Sequence, residues 1–379
     1  MLLASPRLRG RRVGIVANPA SIDGSFRHIV DRLSAGDGAE LGAIFGPQHG
    51  FHSDVQDNMI ETPHGEDARR KVPIYSLYSE TREPTAEMLA GLDLLVIDLQ
   101  DVGARIYTFI YTMANCLKAA GRVGLPVLVC DRPNPIGGTA VEGPQVLPGF
   151  ESFVGQFAIP MRHGLTIGEL AQLFNQHFHL GADLEVVRME GWKREHYWDD
   201  TGLPWVIPSP NMPTLDSAIV YPGTVLFEGT QLSEGRGTTR PFELIGAPWV
   251  HAEAFARRMN RAGLDGTYFR PATFEPTFQK HARTACGGCQ IHVTDRHRFA
   301  PVAVGTALLR EFKGIAPDQF AWRMPPYEYE HDKMPIDILA GSPALREQVE
   351  AQAPLADIVA SWAEGEADFR ALRQSVLLY

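Results

Sequence analysis

No stretch of this sequence approaches the ~20 consecutive apolar residues needed to span a bilayer, although 44% of its 379 residues are hydrophobic. No membrane span is expected. Positive charge is also scarce. With a net charge of -10, no broad basic face can neutralise phosphates, which argues against a nucleic-acid partner. Only four cysteines are present: Cys116, Cys130, Cys286 and Cys289. The first two lie in apolar segments and read as buried thiols. The other two form C-G-G-C, a spacing that serves redox chemistry or half a zinc site. No second C-x-x-C or histidine pair accompanies it, so an inert pair and a reducing compartment are expected.

Several motifs are missing as well. The segment after the first strand, "VANPASIDGS", lacks G-x-G-x-x-G, and there is no Walker A, H-E-x-x-H or G-x-S-x-G string. Dinucleotide, nucleotide triphosphate, zinc-protease and serine-hydrolase chemistry lose their support. The start, "MLLASPRLRGRRVGIVA", is basic and only briefly apolar before strand-like "VGIVA". It reads as no signal peptide, so the chain as given is expected to be cytoplasmic, or periplasmic or secreted if a leader was removed.

What is present is an alternation of buried strands and helices. "RVGIVAN" (12–18), "LGAIFGP" (41–47), "VPIYSLY" (72–78), "LDLLVIDLQ" (92–100), "LPVLVCDRPN" (125–134) and "LEVVRM" (184–189) read as strands, most of them continuous apolar runs. Helical spacing occupies 26–36, 85–91, 108–121 (closed by Gly121) and 166–178. The last opens with a capping box, Thr166 with Glu169, and a staple, Leu165 with Leu170. This order implies an α/β fold, a mostly parallel sheet with helices on both faces. Beyond about 245 the texture becomes smaller-scale α+β, with helices over 252–263, 301–312 and 356–374 and a strand over 289–295. "YPGTVLFEG" (221–229) reads as a strand leading into "SEGRGTTRPFE" (233–243).

In such sheets ligands bind beyond the carboxyl ends of the strands, and those ends are polar here. Gln48, His49 and His52 could suggest a metal, but without a third ligand substrate hydrogen bonding or a structural turn fits better. The remaining candidates are carboxylates: Asp98, Asp101, Asp131, Glu142, Glu228 and Glu234. Each alone is more often structural. Asp98 is expected to pair with Arg105 or Arg132, and Asp131 to cap a turn. Glu228 and Glu234 would lie ~20 Å apart along an extended strand, so they can act as a pair only if the chain folds back. Glycosidic cleavage wants two carboxyls ~5–9.5 Å apart.

The strings "GPQHGF", "DLQDVGARIYTF", "DRPNPIGG", "VEGP", "RHGLTIGELA", "EGWKR", "DDTGLPWVIPSPNMPTLD" and "YPGTVLFEGTQLSEGRGTTRPFE" closely resemble the bacterial peptidoglycan exo-β-N-acetylmuramidase family. The resemblance runs from the first strand to the terminal "LLY". It implies a Rossmann-like catalytic domain, placed at 1–235, and a smaller α+β domain, 236–379, with the site in the cleft between them. It also implies hydrolytic release of terminal N-acetylmuramic acid from the non-reducing end of peptidoglycan fragments, without metal or organic cofactor. On this reading Glu234 is the general acid, Glu228 the base, nucleophile or orienting group, and Asp101 the reserve. The matching strings offer Gln48, His49, Asp98, Gln100, Arg105, Asp131, Asn134, Glu142, His163, Asn211, Arg236, Thr238 and Arg240 for binding the sugar. The arginines, Arg236 first, suit its lactyl carboxylate. Many members of the family carry glutamate where Gln48 stands. Retaining, inverting and substrate-assisted routes all remain open, as do a non-catalytic muropeptide-binding protein and an amidase or glycosyltransferase on the same ligand.

Overall fold

The computed structural model describes Leu2, residues 5–35 and residues 38–379. Its larger sheet has seven strands: β1 (Arg12–Ala17), β2 (Glu40–Gly46), β3 (Gly65–Asp67), β4 (Val72–Ser76), β5 (Leu94–Asp98), β6 (Val127–Cys130) and β7 (Leu184–Val187). They lie in the order β3-β4-β2-β1-β5-β6-β7. All neighbours pair in parallel except β3 with β4. The chain runs outward from β1 through β2 and β4, then returns to β5 beside β1 and runs the other way. That reversal is the switch point at which such sheets open a crevice at the carboxyl ends of their strands.

Helices α1 (Ile29–Ser34), α2 (Ala86–Leu89), α3 (Phe109–Val123) and α4 (Ile167–His177) link these strands. The helix expected over 26–36 is confined to α1, where His28 supplies the cap by accepting from Val30 N–H; position 36 lies outside the described residues. Helix α3 continues past Gly121 to Val123, and Gly124, left-handed at φ 68°, closes it instead. The capping box of α4 is present, with Thr166 accepting from Glu169 N–H and Glu169 from Thr166 N–H. The apolar runs form the core: Val13, Ile15 and Val16 on β1 and Leu95, Val96 and Ile97 on β5 have no solvent exposure.

The segment 221–229 is not a strand. Tyr221–Thr224 form the last turn of α5 (Leu215–Thr224), and Val225–Gly229 continue as a 3-10 turn. The whole stretch is buried. A short apolar run bounded by glycines carries the same signal whether it is a buried strand or a buried helix, and here tertiary packing selects the helix. Thr214 caps α5 by accepting from Ser217 N–H. Gly223 lies against α7 (Pro301–Ile315) so closely that a Cβ there would meet Pro301 O at 1.8 Å.

A second, antiparallel sheet has the order β8-β10-β9, with β8 (Leu244–Ala247), β9 (Thr267–Phe274) and β10 (Cys286–Val293). It is flanked by α6 (Ala252–Met259). The C-terminal region adds α8 (Pro335–Ala340), α9 (Ala344–Glu350), α10 (Leu355–Ala360) and α11 (Ala363–Arg373). The single helix expected over 356–374 is thus two, interrupted at Ser361 and Trp362. Cys286 and Cys289 lie three apart in β10, buried and unbonded to one another, and burial pushes the Cys286 thiol up to about 11. Cys116 is buried as expected, whereas Cys130, at the end of β6, is only partly so. Among the described residues no helix is long and apolar enough to cross a membrane.

Candidate active site

A pocket opens above the carboxyl ends of β2, β4 and β5. Gln48 and His49 line it from the loop after β2, Asn58 from the loop that follows, and Tyr107 and Thr108 from the loop before α3. The remaining walls come from Asn211, Tyr221, Glu228, Arg236, Phe242, Tyr327 and Glu328. Residues on both sides of position 235 therefore build one site. The loop after β5 is shaped by Gly103 at φ 81°, where a Cβ would sit 2.4 Å from Asn134 Oδ1.

Glu228 is 4% exposed and receives three donors: Arg236 Nη2 at 2.6 Å, Tyr327 OH at 2.7 Å and Asn58 Nδ2 at 3.1 Å. Burial opposes its charge, but the Arg236 guanidinium and the hydrogen bonds from Arg236 and Tyr327 prevail and hold the carboxyl below its ordinary range. The 3-10 turn brings Glu228 and Glu234 to the same guanidinium, Arg236 Nε lying 3.4 Å from Glu234 Oε1. The fold-back that the sequence required thus occurs, with Arg236 between the two acids. Glu234 lies behind the pocket rather than in its lining. Lys280 Nζ reaches Glu234 Oε2 at 2.6 Å and also donates to the carbonyls of Phe227, Thr230 and Leu232.

Glu328 is equally buried, at 4% exposure. Its donors are neutral: Tyr78 OH at 2.9 Å and Gln48 Nε2 at 3.4 Å. Burial, with the charge on Glu228 adding to it, pushes the Glu328 carboxyl up to about 7 despite those two bonds and the more distant Arg236. Two carboxyls in one pocket are thereby driven in opposite directions, the arrangement expected where one must hold a proton and the other a charge. Gln48 is fixed in orientation because its Oε1 accepts from Thr108 Oγ1 at 2.7 Å, leaving its NH2 for Glu328. The His49 ring places Nδ1 2.7 Å from Val55 O, and burial pushes it down to about 4, so it is neutral. Among the described residues no group of three or more His, Cys, Asp and Glu is placed to hold a metal ion.

Of the residues singled out in the sequence, Gln48, His49, Asn211, Glu228 and Arg236 meet in the pocket. Asn211 donates there to Gln56 O at 2.7 Å. The others lie elsewhere. Asp98 pairs with Arg132, not Arg105. Arg105 is wholly buried and donates to Leu339 O at 2.9 Å, and burial lowers it to about 10. Asp101 accepts from Gly103 N–H at 2.7 Å and lies 3.4 Å from His163 Nε2, while Gln100 donates to the carbonyls of Asp101 and Pro133. Asp131 takes Thr166 Oγ1, Gly168 N–H and Tyr379 OH, tying β6 to the start of α4 and to the chain's last residue. Asn134 bridges Leu165 O and Ile136 N–H. Glu142 accepts from Ala303 N–H at the first turn of α7. Thr238 donates to Gly235 O within its own loop. Arg240 lies 3.4 Å from Glu243, and its side chain is 44% exposed.

Sequence reasoning missed Glu328, Tyr327, Asn58 and Lys280. The only local sign of the first two is the turn-rich string "PPYEYEHD" (325–332), and nothing in it points to residue 228.

Known proteins account for the arrangement as a whole. The model described as the N-terminal part of exo-beta-N-acetylmuramidase NamZ matches residues 13–216, and that of its C-terminal part matches 219–379. A peptidoglycan beta-N-acetylmuramidase NamZ of Bacillus subtilis (strain 168) is 44% identical over 373 residues, covering 98% of this chain and 88% of that protein. Crystal structures of two DUF1343 family proteins of Bacteroides fragilis NCTC 9343 share the fold. One is 36% identical, with TM-score 0.89 and coverage of 98% and 95% of the two chains. The other is 26% identical, with TM-score 0.77 and coverage of 99% and 96%. With both halves matched in order and the similarity running almost end to end, the chain belongs to the NamZ exo-β-N-acetylmuramidase family.

Proposed function

We propose that this protein is an exo-acting glycoside hydrolase that releases N-acetylmuramic acid from the non-reducing end of peptidoglycan fragments. Its family membership supports the reading, and one observation in the pocket carries it: the Glu228 carboxylate clamped by Arg236, Tyr327 and Asn58. A carboxylate so held is ready to activate water, attack the anomeric carbon, or orient the sugar's acetamido group. Arg236 gives its Nη2 to Glu228, its Nε lies at ion-pair distance from Glu234 without a hydrogen bond, and its Nη1 has no partner. That free donor suits the lactyl carboxylate, which distinguishes N-acetylmuramic acid from N-acetylglucosamine. Arg240, outside the pocket lining, is the less suited of the two.

The pocket is small as folded, with about 40 Å³ of free space; sites for small organic ligands usually offer ~300 Å³ or more. The deciding experiment is incubation with a chromogenic β-N-acetylmuraminide and with a natural disaccharide fragment, with products identified by mass. Release of free N-acetylmuramic acid is expected. Cleavage at the peptide amide, sugar transfer to another acceptor, or binding without turnover would each refute the proposal.

A further inference from the structure

Residues Tyr327 to Glu330 form a tight turn with reciprocal backbone hydrogen bonds of 2.9 Å between its ends. Its two central residues, Glu328 and Tyr329, both have positive φ, 44° and 68°. Neither is glycine, and a non-glycine residue in the left-handed region costs ~1–3 kcal/mol, a strain found mostly at functional sites. Surrounding contacts hold the turn in place. The Arg82 guanidinium lies 4.0 Å from the Tyr329 ring centroid and 4.6 Å from that of Tyr78, and Glu328 N–H points to Met59 Sδ. The consequence is that two consecutive side chains enter the pocket: Tyr327 gives its OH to Glu228, and Glu328 presents a carboxyl beside it.

We propose that Glu328 is the proton donor to the glycosidic oxygen, with Tyr78 and Gln48 as the positioning residues that aim its carboxyl. The proposal rests on the glycosidase reading above. Among the described residues, Glu228 and Glu328 are the only carboxyls lining the pocket. Glu228 is engaged by a guanidinium, whereas Glu328 is touched by neutral donors only. The charged or titratable groups that face Glu328 are Tyr221 at the end of α5, Glu228 and Arg236 from the segment after it, Tyr78 from the loop after β4 and the neighbouring Tyr327. Glu234, with Lys280 and Arg236 around it, sits behind Arg236 and orders that side chain. In the step itself the Glu328 proton passes to the bridging oxygen. The bond from the anomeric carbon to that oxygen breaks, and its electron pair stays with the departing sugar, which leaves as an alcohol. Water supplies hydroxide to the anomeric carbon: in direct attack its proton passes to Glu228 and exchange with solvent restores both carboxyls, whereas after an intermediate its proton passes to the ionised Glu328 and restores it.

The test compares wild type with Glu328→Gln on two substrates. One is the natural disaccharide. The other is an aryl muraminide with a strongly acidic phenol, which leaves without protonation. General acid catalysis is typically worth ~10²–10⁴-fold, so the variant should lose that much kcat on the disaccharide and less than about tenfold on the aryl substrate. It should also lose the fall in activity expected of wild type as pH rises through about 7. Equal losses on both substrates, or near-normal turnover of the disaccharide, would overturn the assignment. Tyr78→Phe provides an independent arm if the first variant does not fold. It removes a hydrogen bond that favours the ionised form, so the same basic limb should move to higher pH; an unmoved limb would also overturn the assignment. Wild type inactive on both substrates would instead refute the proposed function.

Discussion

Replacing Arg236 by methionine removes the cation that, among the described residues, alone is in hydrogen-bond contact with Glu228, while keeping an apolar stem of similar length. The guanidinium donates to Glu228 Oε1 at 2.6 Å, and both side chains are almost wholly buried. Two unit charges ~4 Å apart at an effective dielectric of ~20 attract by about 4 kcal/mol, so losing the guanidinium removes a large stabilisation of the ionised acid. Tyr327 and Asn58 remain as neutral donors, so Glu228 is expected to titrate at higher pH than in wild type. The sign follows from the direction of the native shift. Arg236 holds the Glu228 carboxyl below its ordinary range, so if activity needs the ionised form, that of wild type should rise with pH at the acid end of the profile. In Arg236→Met that rise moves toward neutrality and meets the fall through about 7 assigned to Glu328. The bell in kcat/KM should narrow and its peak drop. Arg236→Lys keeps the charge but not the planar fork and should move the acid limb much less. The methionine variant also leaves Glu228 buried without its cation, which typically costs ~3–5 kcal/mol, so thermal melts must confirm folding at each pH. An acid limb within half a pH unit of wild type in folded Arg236→Met would refute the electrostatic coupling argued here.

Glu142 tests linkage between titration and folding. Burial pushes its carboxyl up to about 7, so its contribution to stability is present at low pH and is lost as pH rises from the unfolded carboxylate range through about 7. Glu142→Gln keeps an acceptor for Ala303 N–H and never ionises. Relative to wild type it should gain stability between pH 5 and pH 8, by on the order of 1–3 kcal/mol, and parallel melting curves against pH would contradict this. Gly223→Ala addresses the contact between α5 and α7, where the added methyl would overlap Pro301 O. The helices must separate, at a cost of ~1–3 kcal/mol; a urea midpoint equal to that of wild type would show that the contact yields freely.

The sequence by itself determined six of the seven strands of the larger sheet, all but the short polar β3 (Gly65–Asp67), because β1, β5 and β6 are buried on both faces and must be continuously apolar whatever their neighbours are. It determined the start of α4, because a capping box is made within four residues, and it determined the family, because long ordered strings survive unaligned inspection. It also marked Glu228 and Arg236 as worth watching, since charges and glycines crowd one short segment. The tertiary structure alone decided what that segment is. Residues 221–229 become helix and 3-10 turn because α5 packs on α7 through Gly223, a contact with residues about eighty positions away. Only the folded chain brings Tyr327 and Glu328 to Glu228, a hundred residues earlier, and Lys280 to Glu234. Only there do the two pocket carboxyls acquire opposite protonation tendencies. A carboxyl's charge state is set by burial and by the donors that surround it in space, and local sequence carries neither.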